Sequence, residues 1–168
     1  ALARGKRSIG IGDAQDLGGI PTMIAVSEIF GPTVQGEGAL IGLPTVFVRT
    51  GVCDFRCSWC DTLYAVEPRF KKDWQNMDAE AILTEVNRLS GSEPILITLS
   101  GGNPALQPMA ELLQLGHQQG HSFAMETQGS KAQAWFNQLD HLTLSPKPPS
   151  SGMPFRRERF EACLTAAG

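Results

Sequence analysis

From Thr22 onward the chain alternates short apolar, β-branched runs with segments whose apolar residues recur every three or four positions. Met23-Ile24-Ala25-Val26, continuing into Ser27-Glu28-Ile29-Phe30, reads as a first strand, with Gly31-Pro32 as its break. Gln35-Gly36-Glu37-Gly38 is a glycine-rich turn, and Thr45-Val46-Phe47-Val48-Arg49 a second strand. Asp78 suits a helix N-cap, Ile82, Leu83, Val86 and Leu89 form the apolar stripe behind it, and Gly91 stops it. Pro94 to Leu99 is a short apolar run, as in a strand covered on both faces of a parallel sheet. A helix over 107–119, with Met109, Leu112 and Leu113 inward, leads to a strand over 122–125. Trp135, Phe136 and Leu139 belong to a short helical connection, and 141–144 is a further strand. An amphipathic helix over 156–166 is expected to bury Phe160 and Leu164. Strands and helices at this spacing predict βαβ units, a parallel sheet and an α/β fold.

The polar and glycine-rich clusters fall at strand ends. Residues 53–62, Ser100–Pro104, Glu126–Gly129 and Ser145–Pro149 each follow a predicted strand. In a parallel sheet those ends share one face, where ligands bind, so four loops are expected to converge on one pocket.

Bulk properties narrow the function. The 168 residues favour one domain, and a net charge of −3 argues against a nucleic-acid surface as the main function. No stretch approaches the apolar length of a membrane span. Residues 1–21, rich in Gly, Ala and charge without a period, read as a flexible leader, non-native or an overlong start, and not as a secretory signal.

Three of the four cysteines lie in Cys53-Asp54-Phe55-Arg56-Cys57-Ser58-Trp59-Cys60-Asp61-Thr62. Three thiolates from one loop can hold three corners of a 4Fe–4S cube and leave the fourth iron open, whereas electron-transfer ferredoxins close the cluster with four cysteines. A zinc site would need a second ligand pair, which the chain lacks, and three clustered cysteines cannot pair among themselves. Cys163 reads as a small buried apolar residue. Thiols gathered in one oxidation-sensitive loop suit a reducing cytoplasm.

The cysteine spacing, with an aromatic residue, Trp59, before the last cysteine, resembles the cluster loop of the radical S-adenosylmethionine (SAM) superfamily. Ser100-Gly101-Gly102-Asn103-Pro104 resembles that superfamily's Gly-Gly-Glu-Pro loop, with Asn103 where most members carry Glu. Six motifs in order, from Ser27–Gly38 through Val46–Arg49, the cysteine loop, Ser100–Leu106 and Glu126–Gly129 to Ser145–Ser151, are similar to the 7-carboxy-7-deazaguanine synthase family. The resemblance implies an abbreviated, partial TIM-barrel-like radical SAM fold over residues 22–168. It also implies a carbon–nitrogen lyase that converts 6-carboxy-5,6,7,8-tetrahydropterin to 7-carboxy-7-deazaguanine with loss of ammonia, in queuosine and 7-deazapurine synthesis. A 4Fe–4S cluster, SAM and Mg²⁺ are the implied cofactors, with a flavodoxin-like reductant and a homodimeric assembly.

Carried over position by position, Cys53, Cys57 and Cys60 would hold the cluster. Val34, Gln35, Gly36, Glu37, Arg49 and Ser100 would bind substrate, Arg49 through its carboxylate. Trp59, Cys60, Asp61, Gly102, Gln128, Ser145, Pro146 and Lys147 would line SAM, and Thr62 would hold Mg²⁺. Plainer readings stand beside these: Gly101-Gly102 as a strand-to-helix turn, Asp61-Thr62 as turn residues, Glu37 and Arg49 as a solvated pair. His117, His121, His141, Trp74 and Trp135 read as structural. A radical SAM activase for a partner protein shares the cysteine spacing but has no need of Gln35–Gly38 or Arg49, and a non-catalytic electron carrier requires a fourth ligand. The family's chains run past Ser151 for several further elements, so this sequence is expected to be truncated at its C-terminus, or to close its sheet another way, and to be less stable and less active than full-length relatives.

Overall fold

The computed structural model describes residues 22–168, so the reading of residues 1–21 as a leader lies outside the described residues. Six strands form one open sheet, β1 (Ile24–Val34), β2 (Pro44–Thr50), β3 (Gln75–Met77), β4 (Leu96–Gly101), β5 (Ser122–Thr127) and β6 (His141–Leu144), in the order β3-β1-β2-β4-β5-β6. Strands β2, β4, β5 and β6 run parallel, whereas β1 is antiparallel to both β2 and β3. The expected parallel sheet thus holds for β2, β4, β5 and β6, with an antiparallel edge added by β1 and β3. Only nine residues join β1 to β2, too few for the crossover a parallel pair needs.

A second correction concerns Gly31-Pro32. The strand does not break there but continues to Val34 across a register shift between Phe30 and Thr33. Bulges are where a strand admits proline. Gly31 sits at φ 145°, and a side chain on it would press on the Thr45 carbonyl and Val46. The short β3 and the turn at Pro68–Asp73 have too few residues to show a period, so the sequence did not reveal them.

Helices α2 (Ala79–Ser90), α3 (Ala110–Gln118) and α4 (Arg157–Ala167) follow the expected segments, and α1 (Leu63–Val66) is a single turn after the cysteine loop. Asp78 caps α2, accepting from Ala81 N at 2.8 Å, and Gly91 ends it at φ 69°. The stripe Ile82, Leu83 and Val86 packs with Leu112 and Leu113 of α3 into one core with Val46, Val48, Ile97, Leu99, Phe123 and Met125 from the strands. In α4 the expectation fails in part: Leu164 is 53% exposed and Phe160 half-buried, and the fully buried residue is Cys163.

Because side chains alternate along a strand, the residues between those core positions form the sheet's other face. In β2, β4 and β5 these are Thr45, Phe47 and Arg49, then Leu96, Thr98 and Ser100, then Ala124 and Glu126. They stack in layers. At the bottom Leu40 covers Leu96 and Ala124, and the Thr45 and Thr98 hydroxyls meet at 2.8 Å. At the top, toward the strands' C-terminal ends, Arg49 is registered beside Ser100 and Glu126 beside Thr143. The uppermost layer is the floor of the cleft described next.

Candidate functional site: a three-thiol cleft at the strand ends

The loops after β2, β4, β5 and β6 and the turn after β1 surround a cleft of about 530 Å³, within the range of small-molecule sites. From the turn come Gln35, Gly36 and Glu37, from β2 and β4 Arg49, Ser100 and Gly102, and from the cysteine loop Cys53, Cys57, Trp59, Cys60, Asp61 and Thr62. Gln128, Ser145 and Lys147 close the far side. The expected convergence of four loops thus holds, and two of the named residues stand apart from it. Val34, the last residue of β1, is 59% exposed, and neither it nor Pro146 lines the cleft.

Cys53, Cys57 and Cys60 are free, partly exposed thiols on the cleft wall. A turn closed by Cys60 N donating to Cys57 O (3.1 Å) holds the last two. Phe55 N donates to Cys53 Sγ at 3.4 Å. Burial pushes the Cys53 and Cys57 thiols up; the Phe55 N–H offsets this at Cys53, and the Lys147 charge at Cys57. Among the described residues no group of three His, Cys, Asp or Glu side chains is placed to hold a single metal ion. A lone zinc needs its ligands about 2 Å from one point, whereas a cubane receives each thiolate on a separate iron. Three free thiols in one loop, with Cys163 buried away in α4, fit a 4Fe–4S group held by three protein ligands.

Opposite the thiols the cleft is charged. Arg49 donates through Nε to Glu28 Oε1 at 2.6 Å, and its guanidinium lies over the Phe30 and Tyr64 rings. The plainer reading, a solvated pair of Arg49 with Glu37, does not hold, because the ion pair joins neighbours in register, Glu28 on β1 and Arg49 on β2. Tyr64 donates its hydroxyl to the same Glu28 oxygen at 2.8 Å. Glu126 accepts from Gln35 Nε2 at 2.9 Å, and burial together with the Glu37 charge raises its carboxyl above the ordinary value. Buried Gln35 also accepts from Glu37 N through Oε1 (3.1 Å), so one side chain braces both carboxylate-bearing segments.

Glu126 and Glu28 were quoted within sequence motifs without a role. For Glu126 the signal was available: with Phe123 and Met125 in the core, alternation puts residue 126 in the cleft. Asn103, expected as a turn residue near SAM, is fully buried and does not line the cleft. Asp61 and Thr62 follow the loop as expected; Thr62 precedes α1 without capping it, which leaves its hydroxyl free, apart from a 3.7 Å contact with Cys60 Sγ. Lys147 lies 5.9 Å over the Trp59 ring. His117 bonds Asp140, His121 bonds Asn87 and Ile95 N, and Trp74 bonds the Tyr64 carbonyl, all structural uses as expected.

An open, mostly parallel sheet with a three-cysteine loop at the carboxyl end of a strand defines a class, and residues 47–146 match the family model for the Radical SAM superfamily. The chain belongs to that superfamily. At finer grain it is similar to 7-carboxy-7-deazaguanine synthase of Bacillus subtilis (strain 168), 45% identical over 144 residues, covering 85% of this chain and 59% of that protein. The synthase of the same name from Bacillus cereus is 44% identical over 142 residues, 84% of this chain and 60% of its own length. The crystal structure of QueE from Escherichia coli superposes with a TM-score of 0.67 at 25% identity, over 83% of this chain and 67% of that one. The chain thus spans about three fifths of the length of the two Bacillus relatives. Among the described residues no helix is long and apolar enough to cross a membrane.

Proposed function

We propose that the chain carries the activity of a 7-carboxy-7-deazaguanine synthase, converting 6-carboxy-5,6,7,8-tetrahydropterin to 7-carboxy-7-deazaguanine with loss of ammonia. The reading is carried by one juxtaposition: three free thiols share a cleft with the Arg49 guanidinium and the carboxylates of Glu37 and Glu126. Among the described residues the Arg49 guanidinium bonds through Nε alone. Its terminal edge can therefore grip a carboxylate bidentately, with the Ser100 hydroxyl beside it on the next strand. Glu37 and Glu126 offer acceptors to the amino-pyrimidine edge of a pterin, and burial together with the Glu37 charge raises the affinity of Glu126 for a proton.

Cys53, Cys57 and Cys60 would hold the cluster, and Trp59, Asp61, Gly102, Gln128, Ser145 and Lys147 would line SAM. When bound, a reduced 4Fe–4S group with SAM on its open iron supplies hydrogen-atom abstraction from carbon. The chain's own residues, Arg49, Glu37 and Glu126, would orient the pterin in the cleft. The uncommitted Thr62 hydroxyl suits Mg²⁺, a hard ion that keeps most of its water and borrows oxygens from substrate. A flavodoxin-like reductant, a second copy of the chain and a reducing cytoplasm complete the reading.

The activase alternative leaves Gln35–Gly38 and Arg49 without a use, although they line the cleft beside the thiols. The carrier alternative needs a fourth ligand, and Cys163 is buried in the core. Anaerobically reconstituted protein given dithionite, SAM, Mg²⁺ and carboxytetrahydropterin is expected to form the deazaguanine and regenerate SAM. Cleavage of SAM with no deazaguanine refutes the assignment in favour of the activase, and a cluster that never cleaves SAM refutes it in favour of the carrier.

A further inference from the structure

We propose that Asn103 is the positioning residue of the cysteine loop, clamping the chain on both sides of Cys53 and so directing that thiol into the cleft. Its backbone N–H donates to Val52 O at 2.8 Å, and its side-chain Nδ2 donates to Asp54 Oδ1 at 2.9 Å. The residues immediately before and after Cys53 therefore hang from one asparagine. Gln128 Nε2 donates to the same Asp54 oxygen at 2.8 Å.

The carboxamide is saturated. Nδ2 also donates to Ser130 Oγ (3.0 Å), and Oδ1 accepts from Thr127 Oγ1 (2.8 Å) and Ala105 N (3.2 Å). Asn103 is 0% exposed and does not itself line the cleft, so it acts through the loop and not on a ligand. The loop needs holding: Val52 sits at φ 74°, a conformation that a β-branched side chain resists. Without the two grips the Gln128 bond to Asp54 is left to oppose relaxation of Val52, and Cys53 would turn with it.

The residue type follows from the partners. The position requires two donors and an acceptor in one planar group, all buried. Aspartate has the same shape, but it loses both donors and buries a negative charge facing the Asp54 carboxylate. Reversing the pair restores the bond, because an asparagine at 54 can donate to an aspartate at 103, while Thr127 and Ala105 still donate to it and the Ser130 hydroxyl can turn from acceptor to donor. Asn103 and Asp54 are thus a matched unit.

The test uses the full chain, first without a cluster, so that it stands apart from the synthase reading. In Asn103→Asp, amide hydrogens of residues 53–60 are expected to exchange at least about tenfold faster than in the parent, with the core amides of β4 and β5 unchanged. The exchanged pair, Asn103→Asp with Asp54→Asn, is expected to return within about threefold of the parent, which loss of packing alone would not allow. After anaerobic reconstitution, the single variant is expected to hold less iron and give a broadened cluster spectrum, and the exchanged pair to recover both. Parent-like exchange in Asn103→Asp, or no recovery in the exchanged pair, overturns the proposal. Should Asn103→Asp not fold, Asp54→Ala replaces it, since it removes the shared acceptor from an exposed residue; unchanged loop exchange there also overturns the clamp. A parent protein whose loop behaves as described yet takes up no cluster supports the clamp and sinks the cluster reading.

Discussion

Arg49→Ala tests the cleft most directly. The side chain is mostly buried, with 18% of its surface exposed, and a substrate carboxylate would meet the edge left open by its bond to Glu28. Two charge-assisted hydrogen bonds would each contribute about 1.5–3 kcal/mol. Glu28 already neutralises part of the charge, so a total of about 3 kcal/mol is the reasonable figure, which corresponds to roughly a hundredfold in affinity. Arg49→Lys keeps the charge but not the fork, and a loss of about tenfold is expected. The assay is substrate dissociation measured by equilibrium titration on reconstituted protein, run in parallel with a tetrahydropterin lacking the 6-carboxylate. The carboxylate-free compound should bind parent and variant alike. Thermal unfolding of the same samples separates lost recognition from the lost Glu28 pair and the contacts with Phe30 and Tyr64. The reasoning is refuted if Arg49→Ala weakens both compounds equally, or changes carboxylate binding by less than about threefold.

Three further outcomes follow from local geometry. Cys163→Ala should leave iron content after reconstitution unchanged and lower stability by about 1 kcal/mol through a small core cavity, whereas Cys57→Ala should lose the cluster; iron and sulfide analysis with denaturant melts checks both. Glu126 has a raised proton affinity in the fold, so the folded state binds its proton more tightly than the unfolded chain, and its ionisation lowers stability as pH rises from the ordinary carboxylate value through the raised one. Glu126→Gln should then be more stable than the parent at pH 7, with the difference vanishing in acid, as read from unfolding curves across pH. Val52→Gly relieves a left-handed β-branched residue at the expense of some chain entropy, and chemical denaturation should show a net gain of about 1 kcal/mol.

Much of the fold was legible because period and punctuation agreed. Asp78, the Ile82–Val86 stripe and Gly91 each mark α2 in chemistry that depends on nothing distant, and the apolar run before Ser100 marked β4. What stayed hidden depended on partners far along the chain. The antiparallel course of β1 follows from the short link to β2, and a loop length was the only clue. Leu164 looked like a core residue of α4 by periodicity alone, yet the helix turns Cys163 inward. In the cleft, residue types announced the thiols and Arg49, but not the pairing of Arg49 with Glu28. Two charges twenty-one positions apart meet only because β1 and β2 pair in that register. Asn103 reads as a turn residue until Asp54, Thr127 and Ser130 are seen around it.

The layering of β2 also limits how this chain can change over evolutionary time. Val46 and Val48 face the helices while Phe47 and Arg49 face the cleft. Adding or losing one residue inside the strand would exchange the two sets. Aliphatic side chains would then floor the reaction chamber, and a guanidinium would be driven into the oily interior. Length variation among descendants should accordingly gather in segments such as Glu67–Asp73, and stay out of the seven residues from Pro44 to Thr50.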